Sequence, residues 1–128
     1  MAFLIDSDVA IHLRDGDPAV TSAIAALDDA VVMSIVTRVE LEGGVYRDPA
    51  HAATRRARLD VLLSAIPTLP FDSNAAEAYS RIVAHAGYSR RKLLDRMIAA
   101  QALVHHAVLL TRNVADFSDI PELRVRAV

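Results

Sequence analysis

The feature that most constrains this fold is a set of short apolar runs that do not alternate. AFLID (Ala2 to Asp6), VVMS (Val31 to Ser34), TLPF (Thr68 to Phe71) and AVLLT (Ala107 to Thr111) are too short for stable helices. Successive side chains of a strand point to opposite faces of a sheet, so an apolar run without alternation is buried on both. LRVRAV (Leu123 to Val128) reads as a fifth strand, short and at an edge.

Helical patterns fill the intervals. DPAVTSAIAALDD has Asp17 as N-cap and Pro18 at the first helical position. AHAATRRARLDVLLSAI (Ala50 to Ile66) carries a stripe of Leu59, Leu62, Leu63 and Ile66, stopped by Pro67. DSNAAEAYSRIVAHAG begins on an Asp72 cap and ends at Gly87, and LLDRMIAAQALVHH has Leu94, Ile98 and Ala102 on one stripe. GDP (Gly16 to Pro18) and EGGVYRDP (Glu42 to Pro49) are expected loops, unless Gly43 and Gly44 lie inside a helix. The order of strands and helices is that of an α/β protein with a parallel sheet covered on both faces. With 128 residues and no linker or repeat, residues 1–128 are expected to form one domain.

Several chemistries are excluded early. There is no cysteine, hence no disulfide framework and no thiolate site. The five His residues have no metal-ligand spacing. No signal-peptide pattern and no apolar run of roughly 20 residues is visible, so a cytoplasmic chain with no membrane partner is expected. Net charge is −2, but the fourteen basic residues are all Arg except Lys92, and they cluster in TRRAR and SRRK. Arg suits bidentate phosphate contacts, which makes Arg90, Arg91 and Lys92 candidate phosphate contacts, while a solvated helix face is the plainer explanation.

In parallel sheets, ligands bind beyond the C-terminal ends of the strands. Asp6 ends the first strand, Glu40 follows the second, Asp95 lies early in the helix before the fourth, and Asp116 follows the fourth. Taken singly, each has an ordinary explanation: a helix cap for Asp6, a capping box with Thr37 for Glu40, a helix-dipole partner for Asp95, a turn for Asp116. Asp8 is expected to cap a helix beside Asp6. Taken together, the four acids converge on one sheet edge. Such crowding is unfavourable without a cation or shared protons, and all-oxygen ligands suit Mg²⁺ or Mn²⁺. Ser7, Thr111 and Asn113 are candidates to hold those acids or a metal-bound water.

FLIDSDVAI, SIVTRVELEGG, LPFDSNAAEAYSRI, LLDRMIAAQAL and LLTRNVADF, in this order, resemble the PIN-domain ribonucleases of the VapC type. The resemblance covers nearly the whole chain. It implies a three-layer α/β/α sandwich with a five-strand parallel sheet, and Mg²⁺- or Mn²⁺-dependent endonucleolytic cleavage of RNA. Asp6, Glu40, Asp95 and Asp116 fall on the family's four catalytic acids, with Asp6, Asp95 and Asp116 as metal ligands. Thr111 and Asn113 match the lead into the fourth. The segment SRRKLL departs from the Gly-containing loop common before the third acid. Further implications are a cognate antitoxin of a type II toxin–antitoxin pair and a homodimer. The helix from Ala50 to Ile66 is then a partner surface or, as readily, a helix packed on the sheet.

Two rivals remain at this stage. DSD, Ser34, Lys92, and Asp116 with Asp119 also resemble the pieces of a haloacid-dehalogenase-like phosphatase, with Asp6 as nucleophile and Asp8 as acid. Val9 stands where that family has Gly, the chain is short, and Glu40 and Asp95 have no part in it. The other rival is a non-catalytic RNA-binding module on the same fold, in which the loss of some acids is usual; all four remain.

Overall fold

A computed structural model describes residues 2–128. Five strands, β1 (Phe3–Ile5), β2 (Val31–Ser34), β3 (Thr68–Leu69), β4 (Val108–Thr111) and β5 (Val125–Ala127), form one sheet in the order β3-β2-β1-β4-β5. Every pairing is parallel. The chain builds outward from β1 to β3, then returns to add β4 on the other side of β1. The place where this order reverses, between β1 and β4, leaves an open crevice at the C-terminal strand ends.

Strand residues alternate between two separate cores, as expected for a sheet buried on both sides. Phe3, Ile5, Met33, Val108 and Leu110 face one core, with Val9 and Ala10 of α1 (Ser7–Arg14), Val20 of α2 (Pro18–Ala25), Leu41 and Val45 of α3 (Ile35–Arg47), and Leu59 and Leu62 of α4 (Ala52–Ala65). Leu4 and Leu109 face the other, with Ala78 and Ile82 of α5 (Ser73–Ala86) and Ile98, Ala99, Ala100 and Ala102 of α6 (Leu93–Val104). This is the three-layer sandwich. The alanines of α6 are fully buried, so the helix axis lies close to the sheet. Among the described residues no helix is long and apolar enough to cross a membrane.

Local signals set most boundaries. Asp17 caps α2 through its side chain, with Pro18 in first position, and Asp72 caps α5, which ends at Gly87 with φ of 86°. Two expectations change. TLPF pairs only over Thr68 and Leu69, because Pro70 has no N–H to continue a ladder. Gly43 and Gly44 belong to α3, which runs to Arg47 before a short 3₁₀ turn at Pro49–His51. On α4, Leu59 and Leu62 are buried in the core, while Val61 is an exposed large apolar side chain.

Candidate active site

The site begins with a backbone obligation. The first N–H groups of a helix lack intrahelical partners. At the tip of β1, Asp6 supplies one: its Oδ1 accepts from the Val9 N–H at 2.9 Å. The N-cap of α1 is therefore Asp6 and not Asp8. Asp8 lies in the first turn, its side chain exposed and 3.6 Å from His12. Capping holds the Asp6 carboxylate at the crevice while leaving its other oxygen for a different partner. The Asp6 backbone N–H also donates to the Leu110 carbonyl across the strand reversal.

Asp6 is nearly buried, at 5% exposure. Burial pushes its carboxyl above the ordinary range; hydrogen bonds from the Thr111 hydroxyl and the Val9 N–H offset this, and the charges of Asp8 and Glu40 add to the rise. Thr111 is fully buried at the tip of β4. Its Oγ1 also accepts the Asn113 N–H at 3.0 Å. The Asn113 amide in turn donates to Asp116 Oδ2 at 2.6 Å. A continuous line of hydrogen bonds thus runs from the first acid to the fourth. Asp116 stands on a 3₁₀ turn, Val114–Phe117, pinned by the buried Phe117.

Glu40 is held from α1 rather than by a capping box. Ser34 is the N-cap of α3, accepting from the Val36 N–H at 2.9 Å, so Thr37 is already inside the helix and forms no capping box with Glu40. Instead Ser7 reaches across from α1: its hydroxyl donates to Glu40 Oε1 at 2.6 Å and lies 3.0 Å from the Thr37 hydroxyl. Thr37, fully buried, is the site residue that sequence reasoning missed. Its only sequence signal, three residues before Glu40, was compatible with a cap. We expect Ser7→Ala to free Glu40 and lower turnover about tenfold, in line with the loss of other partners that orient a ligating or basic side chain. Steady-state kinetics on the purified variant would check this, and unchanged turnover would remove Ser7 from the site.

Asp95 completes the set from the first turn of α6. Desolvation raises its carboxyl most, then the charges of Asp6, Asp116 and Glu40, in that order, with Arg91 opposing. All four acids therefore share one electrostatic neighbourhood. Among the described residues no three His, Cys, Asp or Glu side chains stand close enough to enclose an ion. Mg²⁺ does not require that, because it usually keeps several waters and takes one or two carboxylates directly. A set of hard oxygen donors, with the carboxyls of Asp6 and Asp95 both raised, fits such an ion.

The SRRK segment lies immediately before α6. Arg90 and Arg91 are exposed. Lys92 is half-buried and bonds Asp119 at 3.2 Å.

Comparison with known proteins accords with this geometry. The PIN domain family profile matches residues 3–123. A curated relative, Ribonuclease VapC of Rickettsia bellii, is 31% identical over 133 residues, covering 100% of this chain and 97% of its own length. The crystal structure of VapBC2 from Rickettsia felis, bound to a DNA fragment from their promoter, superposes with a TM-score of 0.88 at 19% identity, over 100% of this chain and 99% of that one. VapBC-5 from Mycobacterium tuberculosis, a member of the VapBC family of toxin-antitoxin systems, gives 0.71 at 27% identity, covering 99% and 97%.

Proposed function

This chain belongs to the PIN-domain family, among its VapC ribonucleases, and on that premise we propose that it cleaves RNA endonucleolytically with a divalent cation, Mg²⁺ or Mn²⁺, held by Asp6 and Asp95. The observation that carries this is the coupling of Asp95 to Asp6, Asp116 and Glu40, acids from separate segments gathered at one crevice. A phosphodiester is itself an anion, and an uncompensated cleft of this kind would repel it. A bound cation supplies the missing positive charge, acidifies water and stabilises the leaving oxygen.

The chain's own residues divide the remaining work. Asp6 is immobilised by its cap, which commits Oδ1 to the Val9 N–H, and by the Thr111 hydroxyl. Asp116, oriented by Asn113, completes the cation's surroundings directly or through water. Glu40 has one oxygen tied to Ser7 and the other available to accept a proton from the attacking water. Arg90 and Arg91 are exposed beside the site and contact the phosphates of the RNA. Replacing both by Gln is expected to weaken RNA binding and to flatten its salt dependence by roughly one unit of slope per lost contact. A salt titration of binding, with an unchanged slope as the contrary result, checks this.

By the same membership the chain acts as the toxin of a type II toxin–antitoxin pair in the cytoplasm, neutralised by a cognate antitoxin and assembling as a homodimer. The named complexes of VapBC2 and VapBC-5 support that assignment. The phosphatase alternative loses its footing: Asp8 points to solvent from α1, and Lys92 and Asp119 are paired with each other.

The test is cleavage of total cellular RNA by the purified chain with Mg²⁺ or Mn²⁺ and with EDTA. Discrete fragments that vanish with EDTA are expected. Cleavage that persists in EDTA would overturn the metal assignment. No cleavage by folded, cation-loaded protein would favour the RNA-binding module.

A further inference from the structure

Asp95 and Asp116 come from different elements, and something must hold those elements at a defined separation. A partly buried polar cluster joins those elements. Asp119 Oδ2 accepts from Lys92 Nζ at 3.2 Å and from Arg96 Nη2 at 3.1 Å. Lys92 directly precedes α6, Arg96 follows Asp95 within it, and Asp119 follows Asp116 by three residues. Arg96 is almost wholly buried and also donates to the Gly87 carbonyl, the residue that ends α5. Lys92 is the N-cap of α6, and its ammonium, a donor only, bonds Asp119. Phe117 and Ile120 also share one apolar core with Ile98 and Ala102.

We propose that Asp119 is a positioning residue: through Lys92 and Arg96 it sets the separation of Asp95 and Asp116, and so sets affinity for the divalent cation. This rests on the assignment of Asp95 and Asp116 to that ion. Asp119 touches neither the ion nor the substrate. Its carboxylate is single-sided, with Oδ2 serving both cations and Oδ1 buried without a partner. That arrangement sacrifices hydrogen-bond satisfaction to bring two cations onto one oxygen. An interaction retained only for stability would more usually satisfy both oxygens.

The test is Mn²⁺ titration of the full chain by calorimetry, without RNA, for wild type, Asp95→Asn, Asp119→Asn, Lys92→Met and Leu59→Ala. Leu59 lies in the opposite core and serves as a destabilised control. Asp119→Asn and Lys92→Met are expected to weaken Mn²⁺ on the order of tenfold, as outer-shell changes do, while Leu59→Ala binds like wild type. If Asp95→Asn weakens Mn²⁺ but Asp119→Asn and Lys92→Met do not, the positioning role is overturned and the metal assignment stands. If wild type does not bind Mn²⁺, or Asp95→Asn binds it equally well, both fall. Should Asp119→Asn fail to fold, Lys92→Met decides alone, since Arg96 keeps its bond to Asp119 in that variant.

Discussion

Replacing Asp95 by Asn is expected to lower RNA cleavage by roughly 10³-fold or more, the equivalent of several kcal/mol of lost transition-state stabilisation, and at the same time to raise the melting temperature of the metal-free chain. The two effects have one cause. Burial and the charges of Asp6, Asp116 and Glu40 raise the folded-state pKa of Asp95 above its ordinary 3.8. A raised carboxyl favours the folded state below the unfolded value, and that advantage is lost as pH climbs through the folded value. At neutral pH the ionised group is therefore a liability that only a cation relieves. Asn keeps the shape and removes the charge. Asp6→Asn should behave in the same way, since its carboxyl is also raised and Asn is as good an N-cap as Asp.

Thermal melts with and without Mn²⁺ separate this account from simple structural damage. Wild type should gain stability with Mn²⁺, by linkage between binding and folding. The Asn variants should start higher and gain little. Between pH 4 and neutrality the metal-free wild type should lose stability relative to Asp95→Asn. A variant that is inactive and also less stable at pH 7 would mean that Asp95 serves the fold rather than the chemistry.

The second large effect is on the fold. Arg96→Ala is expected to cost about 2–4 kcal/mol, near the lower end of what breaking a buried ion pair costs, because Asp119 is partly exposed and retains Lys92. Three losses combine: the charge partner, the donor to the Gly87 carbonyl, and the buried aliphatic stem. For a domain of total stability about 5–15 kcal/mol this is a large fraction. Arg96→Met restores the stem and should recover part of the loss. Urea denaturation of the two variants measures the difference; equal stability to wild type in both would show that the pair contributes nothing net.

How far the sequence reaches is clearest from individual residues. Asp17 with Pro18, and Asp72 with Gly87, announce helix ends because capping is a local matter between a side chain and N–H groups two or three positions away. AFLID and AVLLT announce buried parallel strands because burial on both faces removes alternation. The expectation that Asp8, beside Asp6, caps the helix failed for a subtler reason. Both are good caps, and which one serves depends on whether the helix starts at Ser7 or later. The capping box of Thr37 with Glu40, one explanation the sequence left open, is absent for the same reason: Ser34 and Thr37 are both competent N-caps, and the strand end selects the first.

By itself, then, the order of apolar runs and stop signals determined the α/β architecture and put four acids at one sheet edge. Only the tertiary structure decided what holds them: Thr111 on Asp6, Ser7 on Glu40, Asn113 on Asp116, and Asp119 beside Asp95 through Lys92 and Arg96. The physical reason is range. Period and capping act within one turn of chain, whereas Ser7 meets Glu40 across 33 residues. That meeting follows from the strand order, which sets α1 beside α3, and no local pattern encodes which hydroxyl will then face which carboxylate.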